Sequence, residues 1–158
     1  MKRALILSIL TVTVLGLRPT PAYADLTAFL GVSPTPATRQ TKGVAIGLSL
    51  LIVGFEFEYG KTSENVEKGA PSLTTGMFNG LVMTPTRNQI YLTAGGGVYH
   101  EKLAADTSTS VGTNFGGGVK LHLAGPVRLR LDYRVFALIG HAKYKAPQRF
   151  YAGFNMTF

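Results

Sequence analysis

The stretch Tyr151-Ala-Gly-Phe-Asn-Met-Thr-Phe158 decides how the rest of the chain reads. Together with the residue before it, it puts Phe150, Ala152, Phe154, Met156 and Phe158 on one face of a strand with period 2. Tyr151, Gly153, Asn155 and Thr157 fall on the other. One face is unbroken apolar surface and the other is small or polar. The same alternation is clearest over residues 127–138, where Val127, Leu129, Leu131, Tyr133 and Val135 oppose Arg128, Arg130, Asp132 and Arg134. Over 111–123, Thr113, Phe115, Val119, Leu121 and Leu123 oppose Asn114, Lys120 and His122.

Residues 26–32 form a first strand, stopped by Ser33-Pro-Thr-Pro36. Between 43 and 61 the apolar phase flips: Val44, Ile46, Leu48 and Leu50 are even, whereas Val53, Phe55, Phe57 and Tyr59 are odd, with Glu56 and Glu58 between them. A slip of one residue swaps the faces of a strand, so the flip requires a tight turn or a bulge. The reading taken is two strands, 43–50 and 53–61, joined by a very short turn; one bulged strand is the alternative. Residues 73–83 carry Met77, Leu81 and Met83 on one face and Phe78 and Val82 on the other, so their outward face is unassigned. Residues 89–99 place Ile90, Leu92, Ala94 and Val98 outward. Polar loops are expected at 33–42, 62–72, 100–110 and 139–148, alternating with tight turns. Eight strands of about ten residues use about 80 residues, whereas a sixteen-stranded pore would need about 160 in strands alone. No repeat, linker or second domain is visible.

The amino terminus has a different character. Met1-Lys2-Arg3 precedes an apolar run from Ala4 to Leu17, Arg18-Pro-Thr-Pro breaks it, and Ala22-Tyr23-Ala24 supplies a small-x-small cleavage pattern. The expectation is a secretory signal peptide over 1–24 and a mature domain over 25–158. Without Lys2, Arg3 and Arg18 the formal charge falls from +8 to +5, so part of the basic balance belongs to the leader. The absence of cysteine excludes a disulfide scaffold and a thiolate metal site. No later run approaches the length of about 18 apolar residues that a spanning helix needs. Nineteen glycines with abundant Thr, Val, Phe and Tyr, and no 3.6-residue periodicity, point to an all-β chain.

The closing strand resembles that of bacterial outer-membrane barrels. The pattern polar or aromatic, any, Gly, any, any, apolar, any, aromatic is matched at Tyr151, Gly153, Met156 and Phe158, which in that family resembles the signal for membrane assembly. The resemblance is to the small eight-stranded outer-membrane barrels, such as the OmpA transmembrane domain, OmpX and the opacity proteins. It implies an eight-stranded antiparallel up-and-down transmembrane β-barrel, monomeric, in the outer membrane of a Gram-negative-type cell, with periplasmic termini and external loops. It further implies contact with outer-membrane lipid and lipopolysaccharide, and with barrel assembly machinery and periplasmic chaperones during biogenesis. No cofactor is expected, and because the sequence ends at Phe158 no periplasmic peptidoglycan-binding domain is expected. The role would be structural or surface-interaction.

In a membrane barrel the outside is apolar and the lumen polar. That places Glu56, Glu58, Lys120, His122, Arg128, Arg130, Asp132 and Arg134 in one narrow interior, as an ionic plug. A gated or weakly anion-selective path is the alternative, although eight strands enclose a bore just wide enough for side chains. Phe55, Phe57, Tyr59, Tyr133, Phe150 and Phe158 are expected in interfacial girdles. Gly95-Gly-Gly97 and Gly116-Gly-Gly118 lack the phosphate-loop spacing and instead make room for large lumen side chains. Arg39, Lys42, Lys143 and Lys145 are candidate contacts for lipopolysaccharide phosphates at the rim.

An enzyme is not expected. His100 is followed by Glu-Lys and His141 by Ala-Lys, so the His-x-Ser pair of lipid A deacylases and acyltransferases is not found. Three scattered histidines make no metal site, and no basic stripe with interleaved aromatics suits nucleic acid. Two other classes stay open: a rim enzyme that modifies lipid A, and a soluble periplasmic barrel that binds a small ligand.

Overall fold

The computed structural model describes residues 22–158, so the expected leader lies outside the described residues except for its last three positions. Eight strands follow in order: β1 (Ala22–Ser33), β2 (Arg39–Leu50), β3 (Val53–Thr62), β4 (Ser72–Met83), β5 (Gln89–Leu103), β6 (Asp106–Ala124), β7 (Val127–Leu138) and β8 (Gln148–Thr157). Each pairs antiparallel with the next, and β8 returns to β1 from Asp25↔Thr157 to Val32↔Phe150, closing a barrel. The seam is extended by reciprocal backbone bonds, Ala24 N–H to Phe158 O at 3.2 Å and Phe158 N–H to Ala24 O at 2.9 Å. Closure leaves no unpaired sheet edge around the ring, which is the condition for a sheet to sit in a medium that cannot hydrogen-bond to it. The described residues contain no helix.

The phase flip between Leu50 and Val53 is a two-residue turn. Leu50 pairs with Val53, and Leu51 adopts a left-handed φ of 51°. The bulged single strand is therefore excluded. In β4 the face that sequence left open is settled: Leu73, Met77, Leu81 and Met83 are buried with Thr75 and Asn79, while Phe78 and Val82 point outward. Both faces are apolar because this wall caps the lumen as well as lining the outside. Leu73 and Met77 pack with Tyr99, Phe136 and Leu138 towards the loop end, and Leu81 and Met83 pack with Tyr91 towards the other.

One expected loop is a correction. Residues 100–110 continue the ladder as a hairpin, with Lys102 opposite Thr107 and only Ala104 and Ala105 turning the chain. Its Thr- and Ser-rich strand carries no apolar face, so period 2 leaves no hydrophobic trace there. The first loop also shrinks to 34–38, because β2 begins at Arg39.

The decisive feature is the inversion of polarity. Leu30, Ile46, Phe115 and Phe154 are each more than 60% exposed on the outer wall, while Glu58, Arg130 and Arg134 are fully buried inside. A soluble barrel would leave that belt as one large apolar patch in water; a transmembrane barrel turns it to lipid. Of the expected girdle aromatics, Phe57 lies mid-strand opposite Ile46 rather than at a strand end. Tyr133 is half-buried, with its ring 4.4 Å from that of Phe150.

Candidate functional site

The lumen is filled by side chains that strand parity sends inward. Asp25 on β1 and Lys120 on β6 pair at 2.9 Å near the end that carries the chain termini, where Ser49 and Thr157 hydroxyls also donate to Asp25 at 2.8 and 3.0 Å. Above them Arg130 pairs with Glu56 and with Asp132 Oδ2 at 3.2 Å, and its Nε donates to Tyr91 Oη at 2.8 Å. The Tyr91 hydroxyl in turn donates to Asp132. Arg134 touches three acids: its Nε donates to Asp132 Oδ1 at 2.9 Å and its Nη2 to Glu56 Oε1 at 3.0 Å. Its Nη1 lies 3.1 Å from Glu58 Oε2 without hydrogen-bond alignment. Arg149 on β8 completes the column by pairing with Glu58.

Four acids thus meet four bases, so the column carries no net charge. That balance matters because an unpaired buried charge is far more costly than a paired one. Two expected members stand apart. Arg128 is half-buried at the mouth, where it donates to Gln89 Oε1 at 2.6 Å. His122 is half-buried at the same end, its backbone N–H held by Asn88 Oδ1 at 2.9 Å. Both have the inward parity but form no ion pair among the described residues: Arg128 lines the same hollow as Asp25, whose carboxylate is already bonded to Lys120, Ser49 and Thr157. Two members were missed, Asp25 and Arg149. Parity with Thr27 and with Tyr151 was the signal that could have found them, but one sat at the expected new terminus and the other between the expected loop 139–148 and the quoted strand.

Glycine accommodates this column at one close approach in particular. A Cβ on Gly116 would lie 2.9 Å from Arg134 Cγ, and closer still to the Tyr133 carbonyl oxygen. Gly116→Ala is therefore expected to destabilise the folded barrel by about 1–3 kcal/mol through overpacking. The midpoint of urea unfolding in phospholipid vesicles measures it.

This architecture has solved counterparts. The N-terminal β-barrel domain of Pseudomonas aeruginosa OprF matches with a TM-score of 0.65 at 16% identity, over 86% of this chain and 97% of that one. Neisserial surface protein A matches with a TM-score of 0.68 at 17% identity, over 87% and 97%. A de novo designed transmembrane β-barrel matches with 0.56 at 14% identity, over 90% and 100%. No family model and no curated protein sequence matches the chain. The chain has the fold of the small outer-membrane β-barrels.

In a barrel of this fold the loop-bearing end is a second candidate site. The β5–β6 hairpin outruns its neighbour, since the β6–β7 ladder starts only at Gly112↔Leu138. The surrounding loops are tied to it: Ala104 N–H donates to Glu64 Oε1 at 2.6 Å, Lys143 N–H to Glu101 Oε2 at 3.0 Å, and Tyr99 Oη to Ile139 O at 2.8 Å. Arg39 is a correction. It is buried, its guanidinium donating to Pro71 O, to Thr35 O at 2.7 Å and to Ala37 O at 3.3 Å, so it staples two loops and is not free to meet an external phosphate. Lys143 and Lys145 are exposed in the last loop, whereas Lys42 is exposed on the outer wall of β2. His100 sits on the outer face with its Nδ1 2.7 Å from Thr109 Oγ1, and His141 is exposed in the last loop.

Proposed function

We propose that this chain is a monomeric resident of the outer membrane, exported by its leader, with a closed lumen and a loop-bearing outer rim as its working surface. The role is structural or surface-interaction rather than catalytic. The observation that carries this reading is the pairing of an exposed apolar belt with a charge-neutral column of buried ion pairs. A belt of that kind suits lipid on all sides. A bore occupied by mutually bonded arginines and carboxylates leaves no polar route for an ion to follow without breaking pairs, and breaking a buried pair costs about 3–5 kcal/mol. The rim, cross-tied through Glu64, Glu101 and Arg39, holds its loops in fixed relation, as a contact surface needs.

Fractionation tests the location, and a planar bilayer tests the closed lumen. The protein is expected in the outer-membrane fraction, with an electrophoretic mobility that shifts on heating and no stepwise conductance in the bilayer. Release by osmotic shock without detergent and without a mobility shift would overturn the location and favour a soluble barrel. Reproducible conductance steps would overturn the plug. The terminal strand carries a separate expectation. Phe158 is exposed beside the seam it helps to close, so Phe158→Ala removes little packing. Its effect is expected on the yield of assembled barrel in the outer membrane, and not on the urea midpoint of barrel already folded. Equal loss of both would show that the residue only packs.

A further inference from the structure

Just below the rim, Lys42 on β2 and Lys61 on β3 stand directly opposite each other in the ladder, and both point outward. Their row continues through Leu30 on β1 and Thr74 on β4, with no acid beside them. Neither lysine joins an ion pair among the described residues. Like charges directly opposite on a sheet face repel and destabilise the pairing. Lys42 and Lys61 therefore call for a counter-charge that the described residues do not supply.

The wall on either side of the pair is hollow, and the two hollows differ. On the membrane side Ala28 and Ala152 are small between Leu30, Val44, Tyr59 and Phe154. An almost wholly apolar groove of about 660 Å³ runs there across β8, β1, β2 and β3, with both lysines on its lining. On the rim side a second hollow of about 530 Å³ is lined by the same lysines with Gln40 and Ser63. Both volumes lie in the range of about 300–1,000 Å³ usual for ligand sites. An apolar groove, two cations and a partly polar hollow, in that order, match an amphiphile with acyl chains, a phosphate and a sugar headgroup.

We propose that Lys42, Lys61 and the two hollows form a site for lipid A. An acyl chain lies in the groove between Ala28 and Ala152, a phosphate bridges the two ammonium groups, and the glycan rests against Gln40 and Ser63. The lysine stems stay on apolar surface while their heads reach the headgroup layer. The inference rests on the outer-membrane reading, which puts this rim in the leaflet that holds lipid A.

The test is native mass spectrometry of the folded protein in detergent, titrated with lipid A and, separately, with phosphatidylglycerol. Lys42→Gln/Lys61→Gln is expected to weaken lipid A binding at least tenfold. Ala28→Phe, which fills the groove and leaves both charges, is expected to weaken it comparably. Lys143→Gln/Lys145→Gln, which removes the same charge from the loop, is expected to bind as the unaltered protein does. A heat-dependent mobility shift confirms that each variant is folded. Undiminished binding by the Lys42/Lys61 variant would overturn the site, as would equal loss from the loop variant. Phosphatidylglycerol binding as tightly, with the same lysine dependence, would also overturn it, in favour of an anionic phospholipid. A protein that inserts into vesicles but fails these arms loses only this inference. One that does not enter vesicles loses the outer-membrane reading as well.

Discussion

Arg134→Met is expected to lower the stability of the vesicle-reconstituted barrel by about 3–5 kcal/mol, read from its urea unfolding curve. Arg134 is fully buried and contacts Glu56, Glu58 and Asp132, so one substitution strips a partner from three carboxylates. Arg130 still holds Glu56 and Asp132, and Arg149 still holds Glu58, but the column then carries an excess negative charge away from water. Methionine keeps much of the stem volume, which separates loss of charge from loss of packing. Adding Glu58→Gln to Arg134→Met restores neutrality, and the double variant is expected to recover part of the loss. Additive losses would mean that the two groups act independently, which contact at 3.1 Å argues against. If Arg134→Met cost less than about 1 kcal/mol, the column would be contributing little to stability.

Ile46→Arg is the second large effect, and its size distinguishes the two media. Ile46 points outward midway along β2, opposite Leu26 on β1 and Phe57 on β3. In a bilayer an arginine at that depth is expected to cost about 2–4 kcal/mol. In a soluble barrel the same change would interrupt an exposed apolar patch and cost almost nothing. Val66→Arg is the control, because Val66 is exposed in the loop between β3 and β4 and a charge there stays in water. Equal unfolding midpoints for the unaltered protein and both variants would sink the membrane reading.

The elements that were legible share a physical cause. Where one face meets lipid and the other meets the lumen, neighbouring residues must differ in polarity. Period 2 then exposes the strand, as in Val127–Leu138 and the run to Phe158. The phase flip after Leu50 was legible for the same reason, and the pairing of Leu50 with Val53 makes it a turn and not a bulge. The signal fails where that contrast fails. Both faces of Asp106–Ser110 are polar, so the hairpin read as a loop. Both faces of β4 are apolar, so its direction was undecided. Arg39 read as a rim charge because nothing local reveals that the Thr35, Ala37 and Pro71 carbonyls converge on it.

Alternation is a property of adjacent residues, so the sequence alone determined that the chain is all-β and which residues share a face in most of its strands, while the pairing of Leu50 with Val53 decided that the strands number eight. Partnership across the lumen is a property of closure. Lys120 meets Asp25 across 95 positions of chain, and Arg149 meets Glu58 across 91. The register in which β8 returns to β1 sets the height of every inward side chain. That register decided that Asp25 and Arg149 complete the column while Arg128 and His122 stay at its mouth. It also stood Lys42 against Lys61, because the β2–β3 ladder aligns two residues that no short-range pattern connects.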